Sequence, residues 1–497
     1  HSIAVVSIDE DGEISDFSNR CGIAADFCIA APGGSITVAY PVTEADQGIY
    51  DDGTFDCEAA NNCFAVANGT SFASPFVAGG LAVIAEYFSG QLGATEIVQR
   101  MLSTANKNGI YSDAEIYGQG LLDLDAATSP VGQLSATISG TLDSVRIPML
   151  DNSLNVSSIA IGDALISNSQ SISLILFDEL DAPFRVSLGS FINNESISAS
   201  RLSGLTSNLE TVSRYSSNEN GSLRIQYKTR KFSNLGFNYA YEESLIDQNS
   251  AFSFVSYDQS IYVSSGMNLD NELGIKTNKN LNHSLKRLLD NPWSSFTKKG
   301  LSFGKSFQVD HGSISIMTSF GKNSSMDPFD AESSSNQGMI IDFSNRSKNI
   351  GLQIGKLNEK GSFNGIASSG MFNTNKSSIT NFAGINFAYE SPLGFWVGSF
   401  YYGSKPTKQL NGITSKISKS NSNAFSFGYQ PKFKTNNRKL VFSVSQPLKV
   451  TKGELELQLP AFRTPNKNVL MNSHMLSMAP KSEEIHSKIT YEQNLKI

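Results

Sequence analysis

The sequence predicts a multidomain chain: a partial α/β domain followed by an antiparallel all-β domain. Three observations predict it. At 497 residues the chain exceeds one ordinary core, so two or three domains are expected. The charge divides sharply: residues 1–130 hold 18 Asp/Glu against 3 Lys/Arg (Arg20, Arg100 and Lys107), a balance of −15, while the remainder carries +8, giving −7 in all. The hydrophobic texture also changes, from short continuous apolar runs and helical spacing to period-two alternation that dominates from about residue 222. These mark residues 1–129 as one domain, 130–220 as a linker region and 221–497 as the β domain, with a boundary near Ser129-Pro130.

Taken in order, Ser2 to Ile8 is an almost unbroken apolar run, as in a strand of a parallel sheet buried on both faces. Asp9 to Gly12 is a turn. Ile29-Ala30-Ala31 is a second strand, stopped by Pro32-Gly33-Gly34. Thr43 to Asn62 reads as an acidic loop. A helix should follow Ser71 and run to Phe88, with Pro75 in its first turn, where the missing N–H costs little. Thr95 is a candidate N-cap for a second helix with Ile97, Val98, Met101 and Leu102 on one face. Tyr117 to Asp123 closes the unit with a turn and a short strand, and strands alternating with helices make it α/β.

Composition narrows the function. The acidic N-terminal part argues against nucleic acid as its partner, and the basic remainder has no compact Lys/Arg block. No run reaches the roughly 18 apolar residues of a spanning helix; the longest, Phe76 to Phe88, is interrupted by Glu86. The chain starts at His1 without a charged-then-apolar leader, which reads as a processed or truncated chain. All four cysteines, Cys21, Cys28, Cys57 and Cys63, lie in the acidic part. Three pairings are possible; short loop closure favours Cys21–Cys28 and Cys57–Cys63 over a zinc site or four buried thiols. Disulfides imply an oxidising compartment. Asp46, Asp51, Asp52, Asp56 and Glu58 lack the regular spacing of calcium ligands, so a solvated acidic loop is expected and no cofactor is required. Along a substrate cleft, that loop would favour basic substrate residues.

Asn68 to Gly79 is the stretch around which the first domain is organised. Ser71 sits among small residues directly before an apolar helical run, so the helix start directs free N–H groups and partial positive charge at its hydroxyl. Gly69 and Thr70 let a substrate backbone approach and are the candidate substrate-binding positions. With this stretch, Ile3-Ala4-Val5-Val6 through Ala31-Pro32-Gly33 and Tyr117-Gly118-Gln119-Gly120-Leu121-Leu122-Asp123 occur in an order and spacing that resemble the C-terminal part of a subtilisin-like serine protease (subtilase) catalytic domain. The resemblance covers residues 1–128 and implies that Ser71 is the nucleophile of a serine endopeptidase acting on peptides or proteins. Phe72 departs from the methionine common at that position. In this family the order is Asp, His, Ser, so the base, its orienting aspartate and the oxyanion asparagine belong upstream. The only upstream histidine, His1, lacks the His-Gly-Thr setting, and His283, His311, His474 and His486 lie beyond the first domain. The expectation is a fragment without triad catalysis; the competing reading is a degenerate, non-catalytic domain.

Beyond residue 130, Leu174 to Val186 reads as two short strands around an acidic turn, and Leu202, Leu205, Leu209 and Val212 are spaced as a linker helix over 199–215. Alternation follows at Leu223/Ile225/Tyr227, Leu235/Phe237/Tyr239/Tyr241, Ile350/Leu352/Ile354, Ile385/Phe387/Tyr389, Phe425/Phe427/Tyr429 and Leu455/Leu457/Leu459. Strands of this kind with short turns and many aromatics fit an outer-membrane β-barrel with apolar residues toward lipid; a soluble β-sandwich is the alternative. A subtilase-like piece ahead of such a domain resembles the autotransporter subtilases, in which the barrel anchors the protease at the bacterial outer membrane. Thr128 to Gly132 and Phe177 to Phe191 resemble that group's linker. The chain ends at Leu495-Lys496-Ile497 without a terminal aromatic, so further strands are expected. The alternative from another class is a non-catalytic surface or barrel protein with a subtilase-like passenger.

Overall fold

The computed structural model describes residues 2–40, 55–59, 62–156, 160–194, 209–230, 251–258, 260–265, 275, 281, 283–297, 300–322, 335–345, 349–373, 377–410, 412–433 and 438–493. They fall into two compact units, one of residues 1–149, 174–186 and 460–472, the other of 150–173, 187–459 and 473–497. The first unit thus extends past residue 129 and takes in two later stretches.

In the first unit, β1 (Ala4–Ile8) and β2 (Cys28–Pro32) pair in parallel, Ala4 against Cys28 through Ile8 against Pro32. Their near-continuous apolar sequence is explained by burial on both faces: Val6, Ile8, Ile29, Ala30 and Ala31 are all buried. β3 (Ile36–Tyr40), β4 (Phe55–Ala59) and β5 (Asn62–Ala67) form a three-stranded antiparallel sheet in the order β3-β5-β4. The expected acidic loop is therefore strand at residues 55–59, because β5 offers β4 a ladder. α1 (Thr70–Tyr87), α2 (Ala94–Ser103), α3 (Ala114–Tyr117) and α4 (Leu124–Thr128) follow. The cap of α2 is Gly93, not Thr95; Glu96 reaches back to accept the Gly93 N–H at 2.9 Å. The chain continues through β6 (Ser135–Thr137) and β7 (Arg146–Pro148). β8 (Ser153–Val156) and α5 (Ala164–Ser169) belong to the second unit. β9 (Ser173–Phe177) and β10 (Pro183–Ser187) complete a sheet ordered β10-β9-β6-β7.

A buried ion pair fixes that return. Asp178, in the acidic turn after β9, accepts from the Arg100 guanidinium at 2.7 Å and from the backbone N–H groups of Val131, Leu180 and Ala182. Arg100 also donates to the carbonyls of Ala127 and Ser129, and its guanidinium lies over the rings of Phe88 and Phe184. Each nitrogen of this fork donates to an acceptor, and such pairing is the condition under which a charge pair can be buried. In the same unit Asp181 bonds Arg146 and Lys467. Burial pushes the Asp181 carboxyl up, but the hydrogen bonds from Lys467 and Arg146 outweigh it and hold the carboxyl below its usual range.

The second unit is strand-rich. After β11 (Ile192–Asn194) come β12 (Leu209–Asn218), β13 (Gly221–Arg230), β14 (Ala251–Ser256) and β15 (Ile261–Ser265). The linker helix expected over 199–215 is overruled where it is described: Leu209 and Val212 pair with Arg230 and Tyr227 in a β ladder, which their spacing does not forbid. Next are α6 (His283–Arg287), a 3-10 turn at Pro292–Thr297, β16 (Leu301–Val309), β17 (Gly312–Lys322), β18 (Ser335–Asn345) and β19 (Ile350–Lys360). β20 (Ser362–Phe363), β21 (Ile366–Ser369), β22 (Ser378–Ser391), β23 (Gly394–Lys405), β24 (Lys408–Gln409) and β25 (Thr414–Ile417) follow. β26 (Ser420–Pro431), β27 (Arg438–Lys452), β28 (Glu454–Arg463), β29 (Val469–Ser477) and β30 (His486–Gln493) end the chain. Thirteen strands make one sheet, β12-β13-β14-β15-β16-β17-β18-β19-β22-β23-β26-β27-β30, with antiparallel neighbours throughout. Among the described residues no ladder joins β12 to β30, so the sheet is open and the expected closed barrel is not observed. The alternation at 235–241 lies outside the described residues.

The apolar side of this sheet faces outward. Ile316, Ile354, Ile385, Phe387 and Phe400 are exposed, the last to 50%. The opposite side buries Ser315, Asn386, Gln353, Thr380 and Glu359. Lys405 is buried there with Glu359 at 2.7 Å, and Ser378 accepts its second hydrogen bond. The alternation at Leu455, Leu457 and Leu459 behaves in the opposite way. Those residues lie on β28, in a separate sheet ordered β24-β25-β28-β29, and are fully buried.

Candidate active-site serine

Ser71 is the second residue of α1 and is exposed. The first N–H groups of a helix have no intrahelical acceptor, so the Ser71 N–H is free to serve a ligand and the helix dipole favours negative charge beside its hydroxyl. The turn that delivers Ser71 is anchored to the end of the parallel strand pair. Gly33 and Gly34 donate to the Ile8 carbonyl, the Gly69 N–H donates to the Gly33 carbonyl at 2.8 Å, and the Ser35 N–H donates to the Asn68 side-chain oxygen at 2.6 Å. Gly33 is required by close approach: a Cβ there would lie 2.5 Å from the Ser7 hydroxyl and 2.8 Å from the Gly69 carbonyl. Thr70 accepts the Ser74 hydroxyl at its carbonyl, 3.0 Å away. The three predicted residues Gly69, Thr70 and Ser71 are thus adjacent at one helix start.

α1 begins earlier than its sequence suggests. Pro75 therefore falls in the second turn, not the first, and its ring removes the N–H that would have bonded the Ser71 carbonyl. Along α1, Ala73, Val77, Gly80 and Ile84 are buried, while Phe76, Val83 and Tyr87 on the other side are exposed. The third landmark packs on the same sheet. Gln119 N–H donates to Cys28 O, Gly120 O accepts from Ala30 N–H, and Leu122 N–H donates to Ala30 O. Gly118, at φ +64, must be glycine, since a Cβ would lie 2.4 Å from the Cys28 carbonyl.

Cys21 and Cys28 are disulfide-bonded. Cys57 and Cys63 stand opposite each other in the β4/β5 ladder. Asp56 and Glu58 are in β4, and Asp46, Asp51 and Asp52 lie outside the described residues. Among the described residues the Ser71 hydroxyl has no hydrogen-bond partner. His283, His311, His474 and His486 all belong to the second unit, and His1 is outside the described residues. Among the described residues of the first unit, the structure brings together the nucleophile, its helix and its anchoring turn.

This arrangement agrees with the comparisons with known proteins. Residues 1–120 match the subtilase family. The subtilase segment is 32% identical over 146 residues to serotype-specific antigen 1 of Mannheimia haemolytica, covering 28% of this chain and 14% of that protein. It is 32% identical over 125 residues to subtilisin DY of Bacillus licheniformis, covering 25% and 36%. An extracellular serine protease of Serratia marcescens is 27% identical over 135 residues, covering 26% and 12%. The chain thus spans about a third of subtilisin DY and about an eighth of the other two. Among solved structures, the self-cleaved protease domain of PatA aligns over 25% of this chain and 40% of its own, at 23% identity and a TM-score of 0.19. An outer membrane protein of Vibrio cholerae, OmpTdeltaL8, aligns over 50% and 78%, at 9% identity and a TM-score of 0.26. Superpositions this loose carry no weight here. The family match and the relatives support a serine protease relationship for the first unit.

Proposed function

We propose that this chain carries the nucleophile of a secreted serine endopeptidase on a β domain seated in the bacterial outer membrane. The observation that carries the enzymatic part is Ser71, exposed at the second position of α1 on a turn anchored to the parallel strand pair. In the reaction, a histidine takes the Ser71 proton, the oxygen attacks the scissile carbonyl, and an acyl-enzyme forms as the same histidine protonates the leaving amine. The Ser71 N–H and an asparagine hold the oxyanion. We place that histidine, its aspartate and the asparagine N-terminal to residue 1. The large apolar side chains exposed on α1, Phe76, Val83 and Tyr87, support this, because such residues are usually covered by further structure. Gly69 and Thr70 border the substrate backbone.

The membrane part rests on the inverted burial of the thirteen-stranded sheet. A soluble sandwich buries its apolar face; this sheet exposes Ile354, Ile385 and Phe400 and buries Ser315, Gln353 and Asn386. We read the open edge strands as parts of an outer-membrane barrel of autotransporter type, surrounded by lipid. The Cys21–Cys28 disulfide fits an oxidising location at the cell surface or outside it.

Labelling the full-length protein with a fluorophosphonate probe tests the enzyme. Labelling is expected and is abolished by Ser71→Ala; labelling that survives the substitution excludes Ser71, and a full-length protein that never labels leaves a non-catalytic passenger. Migration in mild detergent before and after heating tests the β domain; a water-soluble band that does not shift would favour the sandwich.

A further inference from the structure

The polar side of the thirteen-stranded sheet is occupied by a segment of the chain itself, Leu281 and residues 283–297, between β15 and β16. We propose that this segment is a resident plug that seals the polar interior of the β domain against ions and small solutes. The proposal rests on the membrane reading above and adds to it a closed state. A strand set with polar residues inward encloses a water-filled conduit unless something fills it. Here Leu281, Leu285, Leu289, Trp293 and Thr297 are buried, every fourth residue of a segment containing α6 and the 3-10 turn at Pro292–Thr297.

The segment is bonded to the sheet at several depths. The hydroxyls of Ser399 and Ser426 both donate to the Leu288 carbonyl. The Tyr401 hydroxyl reaches the Leu289 carbonyl, and the Asn291 amide donates to the Gln353 side-chain oxygen at 3.0 Å. The Asn336 amide donates to the Phe296 carbonyl, and the hydroxyls of Thr297 and Ser319 are 2.8 Å apart. The Trp293 ring stacks on Phe382 with centroids 4.7 Å apart. These partners come from β17, β18, β19, β22, β23 and β26, so one segment contacts much of the sheet's inner side.

The sheet also leaves room for the plug. A Cβ at Gly403 on β23 would lie 2.3 Å from the Trp293 ring, one at Gly428 on β26 would lie 2.3 Å from Leu288, and one at Gly321 on β17 would lie 2.7 Å from the Thr297 backbone. Glycine is disfavoured within strands, and three of them under one inserted segment form its seat.

Conductance of the full chain in planar lipid bilayers tests the seal, with Gly403→Leu as the unseating variant and Trp293→Ala as a second that removes bulk instead of adding it. The wild-type chain is expected to conduct at least tenfold less than either variant. Equal conductance of wild type and both variants overturns the plug. Vesicle flotation is scored separately: a chain that fails to float refutes the membrane reading, whereas one that floats and conducts whatever stands at 403 refutes the plug alone. Seating itself is read without lipid. In Trp396→Phe, which leaves Trp293 as the single tryptophan, iodide is expected to quench fluorescence weakly, and strongly once Gly403→Leu is added. Strong quenching before that addition overturns the seating.

Discussion

In the first unit the side chains withdrawn from solvent are Val6, Ile29, Val77, Ile84 and Met101. In the thirteen-stranded sheet of the second they include the polar Ser315, Gln353, Asn386 and Glu359 beside the apolar Met317, Ile340 and Leu357, while Ile354, Ile385 and Phe400 face out. The hydrophobic effect puts apolar surface wherever water is not. On the membrane reading proposed above, the first unit has water around it and the outer face of the thirteen-stranded sheet has lipid. No helix among the described residues is long and apolar enough to cross a membrane.

Substitutions of opposite polarity sharpen the comparison. The largest effect is expected for Ile84→Asp, which strands a carboxylate in the first core at a cost above about 4 kcal/mol; protease protection of residues 1–149 should be lost. Arg100→Met is expected to cost about 3–5 kcal/mol by leaving Asp178 without its counter-charge. Arg100→Lys should restore only part of it, since one ammonium cannot reach the three acceptors that the guanidinium reaches. Urea midpoints of the first unit compare them, and a full rescue by lysine would show that charge alone matters.

Ile354→Arg breaks the comparison from the other side. In a bilayer an outward arginine near mid-strand costs about 2–4 kcal/mol; on a water-facing sheet the same change is within about 0.5 kcal/mol. Unfolding from vesicles reads the difference, and a neutral result would return the sheet to water. The smallest effect is the pH dependence of Asp181. Its carboxyl is held low in the folded state, so its contribution is present above the unfolded pKa and lost as pH falls through the folded value. With a partly exposed pair this is at most about 1 kcal/mol. Asp181→Asn should flatten the acid limb of the stability profile below about pH 4; an unchanged limb would assign that limb to other carboxylates.

Much of the site was legible because its residues are neighbours in sequence. Asn68 to Gly79 carries the serine, the small residues and the apolar helix, and Cys21 and Cys28 pair across a short loop. The anchoring of that turn was not legible: the Gly33 carbonyl and the Ile8 carbonyl reach it only through β1, β2 and the packing of α1. The proposed plug carries a signal in the sequence. Leu281, Leu285 and Leu289 repeat at helical spacing inside a region dominated by period two, and that break in period marks an inserted segment. The helix expected over 199–215 had a similar spacing at Leu205, Leu209 and Val212, and Leu209 and Val212 became strand because β13 supplied hydrogen bonds along their whole length.

By itself the sequence determined the period of each region, the position of Ser71 on a helix start and the local cysteine loop, since each depends on residues a few positions apart. Tertiary structure alone decided which face of the alternating strands is inside. Alternation defines two faces and is blind to which one is covered. Ile354 and Leu457 occupy equivalent places in equivalent patterns, yet one is exposed and the other fully buried. What separates them is the neighbour that packs on each sheet, which only the folded chain supplies.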